Sequence, residues 1–213
     1  LYDVPQLSGS NFYWGYDYFF LRDEFIDAKP HDILEPINSV LITFGGTDQN
    51  DLTRKTLELI LPDCIERSIK IYIVCGSGYN YKNELEAYIE QQTYDKIEFT
   101  YAAGAISKIM EKTQIAISSN GRTVYELADM NIPSIILSHH EREGTHTFAC
   151  IENGFVNIGV YNETDSNKDL LDNFVKLIDD NSYRKLLFLN IKKYNFRSNK
   201  SKVLNTILSL IEN

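Results

Sequence analysis

Short apolar segments alternate with amphipathic segments from Ser39 onward, and this alternation predicts the fold. The predicted strands are VLITF, IKIYIVC, KIEFT, IAIS, SIIL and FVNIG. The predicted helices between them are centred on DLTRKTLELI, NELEAYIEQQ, ISKIMEK, TVYELADM and THTFACIEN. Most of the strands are apolar on both faces, as strands covered by helices on both sides should be. A repeated strand–helix–strand order implies right-handed crossovers and an α/β doubly wound parallel sheet.

The two ends of the chain follow other patterns. Residues 1–37 show neither helical nor strand periodicity and are rich in aromatic residues, as in NFYWGYDYFFLRDEF. So many aromatics argue against disorder, and we predict an extended arm that packs them, Trp14 included, on the sheet domain or on a neighbouring domain. After Gly159 the pattern is helical, through KDLLDNFVKLIDD, SYRKLLFLNIKKY and SKVLNTILSLIE. The predicted organisation is an arm over 1–37 and one Rossmann-like domain with C-terminal helices over 38–213.

The composition narrows the function classes. The formal net charge of −9 argues against a general nucleic-acid binder, because such a protein needs a basic face. The longest apolar stretches, such as IPSIIL, are too short to span a bilayer, and the opening residues lack a signal-peptide pattern. Cys64, Cys75 and Cys150 lie far apart in apolar contexts, which favours buried thiols in a reducing compartment. We therefore expect a cytoplasmic protein without a membrane span or a nucleic-acid partner.

Gly45-Gly46-Thr47-Asp48 joins the first predicted strand to the first predicted helix. In an open parallel sheet, ligands collect beyond the carboxyl ends of the strands, where helix N-termini point. Glycines let the backbone approach a phosphate, and free amides at a helix start supply donors and a partial positive charge. The segment has neither the G-x-G-x-x-G fingerprint nor the Lys of a P-loop. Two interpretations stay open, a phosphate cradle and a tight turn. The next such loop, from Cys75 to Glu84, is interpreted as a turn.

A second small polar turn, at 119–121, follows the fourth predicted strand. A helix is predicted from about Thr123, with Arg122 at its start and Glu126 one turn inside. A cation at a helix start is unfavourable with respect to the helix dipole, which suggests that Arg122 serves a bound anion. Glu126 has two interpretations: a carboxylate that accepts hydrogen bonds from a ribose diol, or the capping-box partner of Asn120 or Thr123.

His139, His140 and His146, with Glu141 and Glu143 between them, suggest a metal site at first sight. No pair of them has the H-E-x-x-H spacing of a helical zinc site, and no thiol joins them. A solvated polar loop at the cleft is the favoured interpretation. We predict no bound metal.

Three stretches, in this order, carry a resemblance to a known family: YDYFFLRDEF (Tyr16 to Phe25), VLITFGGTDQNDLT, and a Gly-x-Thr-x-x-Glu pattern at Gly121, Thr123 and Glu126. From about Gly15 to Gly159 the chain resembles the C-terminal domain of GT-B-fold nucleotide-sugar enzymes. It is similar in particular to the pseudaminic-acid pathway hydrolase that releases UDP from a UDP-diacetamido-trideoxy sugar. The peptidoglycan GlcNAc transferase shares the later part of the pattern. Related domains that follow a cytidylyltransferase of the CMP-sialic-acid-synthetase type are similar as well.

The resemblance implies a site for UDP or a UDP-sugar. The loops at Gly45–Thr47 and Ser119–Thr123 would face the diphosphate, and Glu126 would hold the ribose hydroxyls. Backbone groups of the loop from about Ala102 to Ile106 would read the uracil edge. The chain departs from the family after the last central strand, where it has Arg142-Glu143 and then His146 in place of an Asn-Gln pair. The implied substrate-binding residues are Gly45, Gly46, Thr47, Ala102, Ala103, Ser119, Asn120, Gly121, Arg122, Thr123, Glu126, Glu143 and His146.

The function that the resemblance implies is nucleotide-sugar binding in an enzyme of bacterial surface-polysaccharide or nonulosonic-acid biosynthesis, in the first place a UDP-sugar hydrolase. The alternatives are the donor-binding half of a GT-B glycosyltransferase and a non-catalytic domain fused to a CMP-sugar cytidylyltransferase. The family's catalytic His lies in an N-terminal domain that this chain lacks. We therefore expect no catalytic residue, no cofactor and no turnover in the isolated chain.

Overall fold

The computed structural model describes residues 9, 11–13, 15–32 and 36–211 of the chain. Within these ranges a six-stranded parallel sheet forms the centre of the molecule. Trp14 lies outside the described residues.

All six predicted strands form, and the sheet is doubly wound. They are β1 Ser39–Thr43, β2 Lys70–Cys75, β3 Ile97–Tyr101, β4 Ile115–Ser118, β5 Ser134–Ser138 and β6 Phe155–Val160. Their order across the sheet is β3-β2-β1-β4-β5-β6. The direction of strand addition therefore reverses between β1 and β4, and such a switch point is where sheets of this type bind ligands. The predicted α/β doubly wound, Rossmann-like fold is confirmed.

Eight α-helices accompany the sheet in the described ranges. They are α1 Leu52–Arg67, α2 Lys82–Glu90, α3 Ser107–Met110, α4 Thr123–Asp129, α5 Glu141–Gly144, α6 Ser166–Asp179, α7 Asn181–Ile191 and α8 Asn199–Ile211. Helix α1 runs through Pro62 and past the predicted segment to Arg67, and Ser68 caps its end in a left-handed conformation. The three C-terminal helices α6, α7 and α8 form as the periodicity predicts.

One predicted helix is wrong. THTFACIEN does not form a helix; a single turn, α5, precedes it and a 3-10 turn at Ile151–Asn153 ends it. Side-chain amides hold the stretch between them in a non-helical conformation: Asn153 Nδ2 donates to Phe148 O at 2.7 Å and Asn157 Nδ2 donates to Ala149 O at 3.1 Å. These bonds satisfy carbonyls that a helix would have used, so local polar contacts override the apolar pattern.

Two apolar layers cover the two faces of the sheet. Alternate residues of β1 point to opposite layers: Val40 and Ile42 pack with α1 and α6, and Leu41 packs with α3 and α4. This alternation is the period of a β-strand, and burial on both faces explains the continuous apolar strands. Cys64 and Cys75 are buried free thiols, and burial raises the pKa of each to about 12.

The described part of the arm packs against the second of these layers. Leu21, Phe25 and Ala28 are buried in it. The Phe19 ring stacks on Tyr125 with a centroid distance of 4.4 Å. Asn199 at the start of α8 donates to the carbonyls of Tyr16 and Phe19 at 2.9 and 2.8 Å. The arm is therefore seated beside α4, which brings residues 19–22 to the carboxyl edge of the sheet.

Candidate functional site

Two connected chambers open at the carboxyl edge of the sheet, next to the switch point. The larger one, about 470 Å³, lies among the loops that follow β1, β2 and β3, the start of α4 and the arm. The smaller one, about 300 Å³, lies among the loops that follow β1, β4 and β5. Both volumes are in the range of small-molecule sites. The residues that line both chambers are Gly45, Gly46, Arg122 and Thr123.

The loop after β1 is held by the loop after β2. Gly76 N donates to Gly45 O at 3.2 Å, and Gly78 N donates to Gly46 O at 3.0 Å. In a trans peptide the carbonyl and the following N–H point in opposite directions. The amides of Gly46 and Thr47 therefore point away from the β2 loop, and neither has a hydrogen-bond partner among the described residues. Two adjacent N–H groups of this kind form a concave donor surface suited to an anion.

The same contact explains why Gly76 is a glycine. A Cβ atom on Gly76 would lie 2.6 Å from Gly46 Cα and 2.7 Å from Gly46 O. A Cβ on Gly46, in contrast, would have no described atom within 4 Å. Gly45 has φ 82°, a left-handed conformation that glycine adopts without a steric penalty. The loop from Cys75 onward is thus a turn, as predicted, and it also fixes the β1 loop and lines the larger chamber.

The start of α1 is not free to bind a ligand. Asp48 accepts from the amides of Leu52 and Thr53, each at 2.8 Å, through its two carboxylate oxygens. The buried Asp48 carboxylate therefore occupies the donors that the sequence had suggested for a phosphate. The expectation that α1 supplies free N-terminal amides is wrong, because a cap within the same loop satisfies them.

Arg122 lies at the junction of the two chambers. It precedes the first residue of α4, and no side chain caps the start of that helix. Its side chain is exposed, and no described residue forms a hydrogen bond or an ion pair with it. A guanidinium that gains nothing from the helix dipole and meets no partner in the described part of the chain is suited to an anionic ligand.

Glu126 is a buried carboxylate with one occupied oxygen. Its Oε1 atom is 3.1 Å from Arg22 Nε and 3.0 Å from Arg22 Nη2. Its Oε2 atom has no partner among the described residues. No capping contact to Asn120 or Thr123 forms, so the capping-box interpretation is not realised. Burial raises the pKa of Glu126, and the adjacent Arg22 guanidinium opposes that shift.

Asn120 supports the neighbouring loop. It is fully buried, and its Nδ2 atom donates to Glu143 O and to His146 O, each at 3.0 Å. His146 Nδ1 donates in return to Asn120 O at 2.5 Å. The structure thus places both residues behind the chamber walls, where they tie the β4 loop to the segment after β5.

On the β5 side, the smaller chamber is lined by His139, His140 and Glu143, at the start of the single-turn helix α5. His140 Nδ1 accepts from Glu143 N at 3.2 Å, and Glu143 Oε2 accepts from His139 N at 2.7 Å, a reciprocal cap. His139 Nε2 lies 3.1 Å from Phe44 O, and it must be the donor because a carbonyl only accepts. In the described ranges no group of three or more His, Cys, Asp or Glu residues is arranged to hold a metal ion.

Most predicted site residues meet at the two chambers. Those that line them are Gly45, Gly46, Thr47, Ala102, Ala103, Ser119, Gly121, Arg122, Thr123, Glu126 and Glu143. Asn120 and His146 do not. The sequence reasoning missed further lining residues, among them Phe19, Phe20, Arg22, Gly76, Ser77, His139 and His140. For Arg22 a signal existed, because LRDEF was among the stretches that carry the family resemblance.

No protein-family model matches the sequence. Three curated proteins are similar to it. An uncharacterized protein of Methanocaldococcus jannaschii is 30% identical over 135 residues, which cover 61% of this chain and 28% of that protein. A Helicobacter pylori pseudaminic acid cytidylyltransferase and UDP-2,4-diacetamido-2,4,6-trideoxy-beta-L-altropyranose hydrolase is 31% identical over 59% of this chain and 21% of its own length. The Bacillus subtilis spore coat polysaccharide biosynthesis protein SpsG is 27% identical over 64% and 41%. The matched stretches thus span less than half of each relative.

Solved structures share the fold. The C-terminal domain of a group 1 glycosyl transferase from Francisella tularensis superposes with a TM-score of 0.61 at 14% identity, covering 79% of this chain and 94% of that domain. The UDP-GlcNAc 2-epimerase from Neisseria meningitidis, solved with UDP-GlcNAc, superposes with a TM-score of 0.59 at 13% identity, covering 83% and 46%. The chain therefore shares its fold with a glycosyl transferase C-terminal domain. None of the helices in the described ranges combines the length and the apolar character that a membrane span requires.

Proposed function

We propose that this chain is the nucleotide-sugar-binding domain of an enzyme of bacterial surface-polysaccharide or nonulosonic-acid biosynthesis, and that its ligand is UDP or a UDP-sugar. The observation that carries the proposal is the junction of the two chambers. Backbone amides and an arginine, Arg122, that have no partner among the described residues meet there, between a larger and a smaller cavity. A nucleoside diphosphate sugar has the same order of parts, because its diphosphate joins a nucleoside to a sugar.

The diphosphate belongs at that junction. The amides of Gly46 and Thr47 would donate to its oxygens, and Arg122 would neutralise part of its charge. The capped start of α1 makes no contribution, since Asp48 would repel the anion. This arrangement needs no P-loop lysine, which agrees with the absence of that motif from the sequence.

The nucleoside belongs in the larger chamber. Glu126 Oε2 is an acceptor on its wall and would take hydrogen bonds from the ribose hydroxyls. Ala102 and Ala103 line the same chamber at the end of β3, where their backbone groups would meet the edge of the uracil. Ala102 has φ 50°, an uncommon conformation for alanine that fits a loop shaped around a ligand.

The sugar belongs in the smaller chamber, beside His139, His140 and Glu143. We propose that the parent enzyme is a UDP-sugar hydrolase, as the hydrolase named for the Helicobacter pylori relative suggests. The base that activates water would lie on a separate domain of the parent enzyme. This chain would bind the substrate and stabilise the leaving UDP through the amides and Arg122. Purified chain alone should then release no UDP from a UDP-sugar.

The Glu126→Ala variant tests the proposed site. Wild type should bind UDP in a calorimetric titration, and the variant should lose about 2–3 kcal/mol of binding free energy, since it lacks a charge-assisted acceptor for the ribose. ADP should lose a comparable amount, because the contact lies outside the base. The melting temperature should change little, because Arg22 keeps Glu24 as a partner at 2.9 Å.

Glu84→Ala is the matched control. Glu84 is an exposed glutamate in the first turn of α2, at the same edge of the sheet, and it lines neither chamber. Its removal should leave UDP affinity unchanged. Failure of wild type to bind UDP would refute the proposed function and favour a domain that serves as a scaffold or sensor.

A further inference from the structure

Arg22 reaches the site from the arm. Its guanidinium contacts Glu126 through two nitrogens, both directed to the same oxygen, although the two residues are 104 positions apart in the chain. The Arg22 side chain is 55% exposed, whereas that of Glu126 is 10% exposed. The arginine therefore lies at the surface of the chamber wall and holds a carboxylate that is nearly buried.

The arm keeps this guanidinium in place with several contacts. Phe25 is fully buried, and its ring lies 5.8 Å from Arg22 Cζ. Arg22 Nη1 is 2.9 Å from Glu24 Oε1, and Glu24 Oε2 accepts from Ser107 N at 3.0 Å. The arm thus connects the first residue of α3 to the carboxylate on α4. A side chain anchored this well can fix the orientation of its partner.

We propose that Arg22 is a positioning residue of the nucleotide site. It occupies Oε1 of Glu126, holds the carboxylate in one orientation and leaves Oε2 as the acceptor for the ribose. Seating of the arm and binding of the nucleotide are therefore coupled, and each strengthens the other to the same degree. This inference rests on the proposed function, because it concerns the same ligand.

The charges around Glu126 define the expected pH dependence. Arg22 and Glu24 face it from the arm, and Arg122 faces it from the loop after β4. Burial raises the pKa of Glu126, and Arg22 opposes the rise. Without Arg22 the pKa rises further. Because the ionised form is the acceptor for the ribose, UDP affinity should fall as the pH decreases through this pKa, and the fall should begin at a higher pH in Arg22→Ala.

The experiment compares UDP dissociation constants of wild type, Arg22→Ala and Arg22→Lys in the full chain. The titrations run from neutral pH down through the pKa of Glu126. Arg22→Ala should bind UDP about tenfold more weakly at neutral pH, as expected for coupled residues in contact, with its acidic limb moved to higher pH. Arg22→Lys keeps the charge and should restore most of both properties. Lys200→Ala is the control, because it removes the ion pair of Asp23 on the same arm, away from the larger chamber. It should bind UDP as wild type does.

A double-variant cycle separates positioning from direct contact. If Arg22 acts through Glu126, the variant Arg22→Ala/Glu126→Ala should bind UDP no more weakly than Glu126→Ala alone. A clearly weaker double variant would mean that Arg22 contacts the nucleotide itself, and would overturn the inference. Wild-type affinity and pH profile in Arg22→Ala would also overturn it, while the proposed function would stand. Absence of UDP binding in wild type would overturn both.

Discussion

Helices α1 and α4 begin on the two sides of the switch point, at the same edge of the sheet, yet their first turns differ. Asp48 caps α1 with both carboxylate oxygens at 2.8 Å. In the part of the chain that the structure describes, no side chain caps α4, and Arg122, the residue before it, has no hydrogen-bond or ion-pair partner. The protein itself caps the amides at the start of α1, whereas the start of α4 stays open to a ligand.

The difference shows that a glycine-rich turn and a helix start are separate features. In this molecule the amides suited to an anion belong to the β1 loop, at Gly46 and Thr47, and not to the helix that follows. Their direction is set by hydrogen bonds to the β2 loop. The negative charge of Asp48 makes α1 a poor anion site, whereas Arg122 adds positive charge to the chamber that Gly46 and Thr47 line. The junction of the chambers lies between the starts of α1 and α4.

Removing the cap of α1 should have the largest effect. Asp48→Ala loses two charge-assisted hydrogen bonds in a buried position and should lower the free energy of unfolding by about 2–3 kcal/mol. The left-handed φ of 38° at Asp48 adds to the cost in alanine, because a short polar side chain tolerates this conformation better. Denaturant unfolding measures the loss.

Asp48→Asn sharpens the result. Asparagine tolerates the same backbone conformation and keeps one acceptor oxygen, so its loss of stability should be clearly smaller than that of alanine. If Asp48→Ala unfolds at the same denaturant concentration as wild type, Asp48 does not cap α1 and the contrast with α4 fails.

Arg122→Ala should affect binding and not stability. Removing the cation that lines the same chamber as Gly46 and Thr47 should weaken UDP binding by about 2 kcal/mol, the size of a hydrogen bond to a charged group. The free energy of unfolding should stay within about 0.5 kcal/mol, since the side chain is exposed and its charge is unfavourable at a helix start. Calorimetry and thermal melting of the same preparation measure both quantities.

Arg142→Ala provides the matched control, because Arg142 is an exposed arginine in α5 that lines neither chamber. It should bind UDP as wild type does. Equal affinity for UDP in Arg122→Ala and wild type would mean that the open start of α4 has no ligand.

The fold could be predicted from the sequence because its signals are local. The six strands are continuous apolar runs bounded by polar turns, and the C-terminal helices have a clear apolar period. The helix predicted over THTFACIEN is wrong because the contacts that decide its conformation are not all local. Its apolar residues suggest a helix, but its carbonyls are bound by Asn120, Asn153 and Asn157, and two of these three lie outside the segment.

The site could be predicted only in part. The loops at the carboxyl ends of the strands were found, because parallel topology brings them together whatever their side chains do. Arg22 could not be assigned to Glu126, since a pair 104 positions apart leaves no spacing signal. The cap by Asp48 did have a local signal: an acidic residue four and five positions before the amides it binds. That carboxylate would compete with a phosphate for the same donors.

The smallest expected effect comes from Gly46→Ala. This variant tests whether the β1 loop is a phosphate cradle or only a tight turn. Gly46 does not have a positive φ, and an added Cβ would meet no described atom within 4 Å. Stability should therefore change by less than about 0.5 kcal/mol, or rise slightly through the unfolded state. The methyl group would instead project where the backbone must approach the phosphate. UDP binding should weaken by about 1 kcal/mol, within the range for overpacking.

Gly76→Ala should lose stability, in contrast to Gly46→Ala, and the two variants are compared. Its Cβ would overlap the backbone of Gly46 at 2.6 Å, so the two loops must separate and the free energy of unfolding should fall by at least about 1 kcal/mol. Thermal melting and a UDP titration on both variants decide the matter. A stable Gly46→Ala with weakened binding indicates a cradle, because the methyl group meets a ligand and no described atom of the protein lies within 4 Å of it. A stable Gly46→Ala that binds UDP like wild type indicates that FGGTD is a turn braced by Gly76 and nothing more.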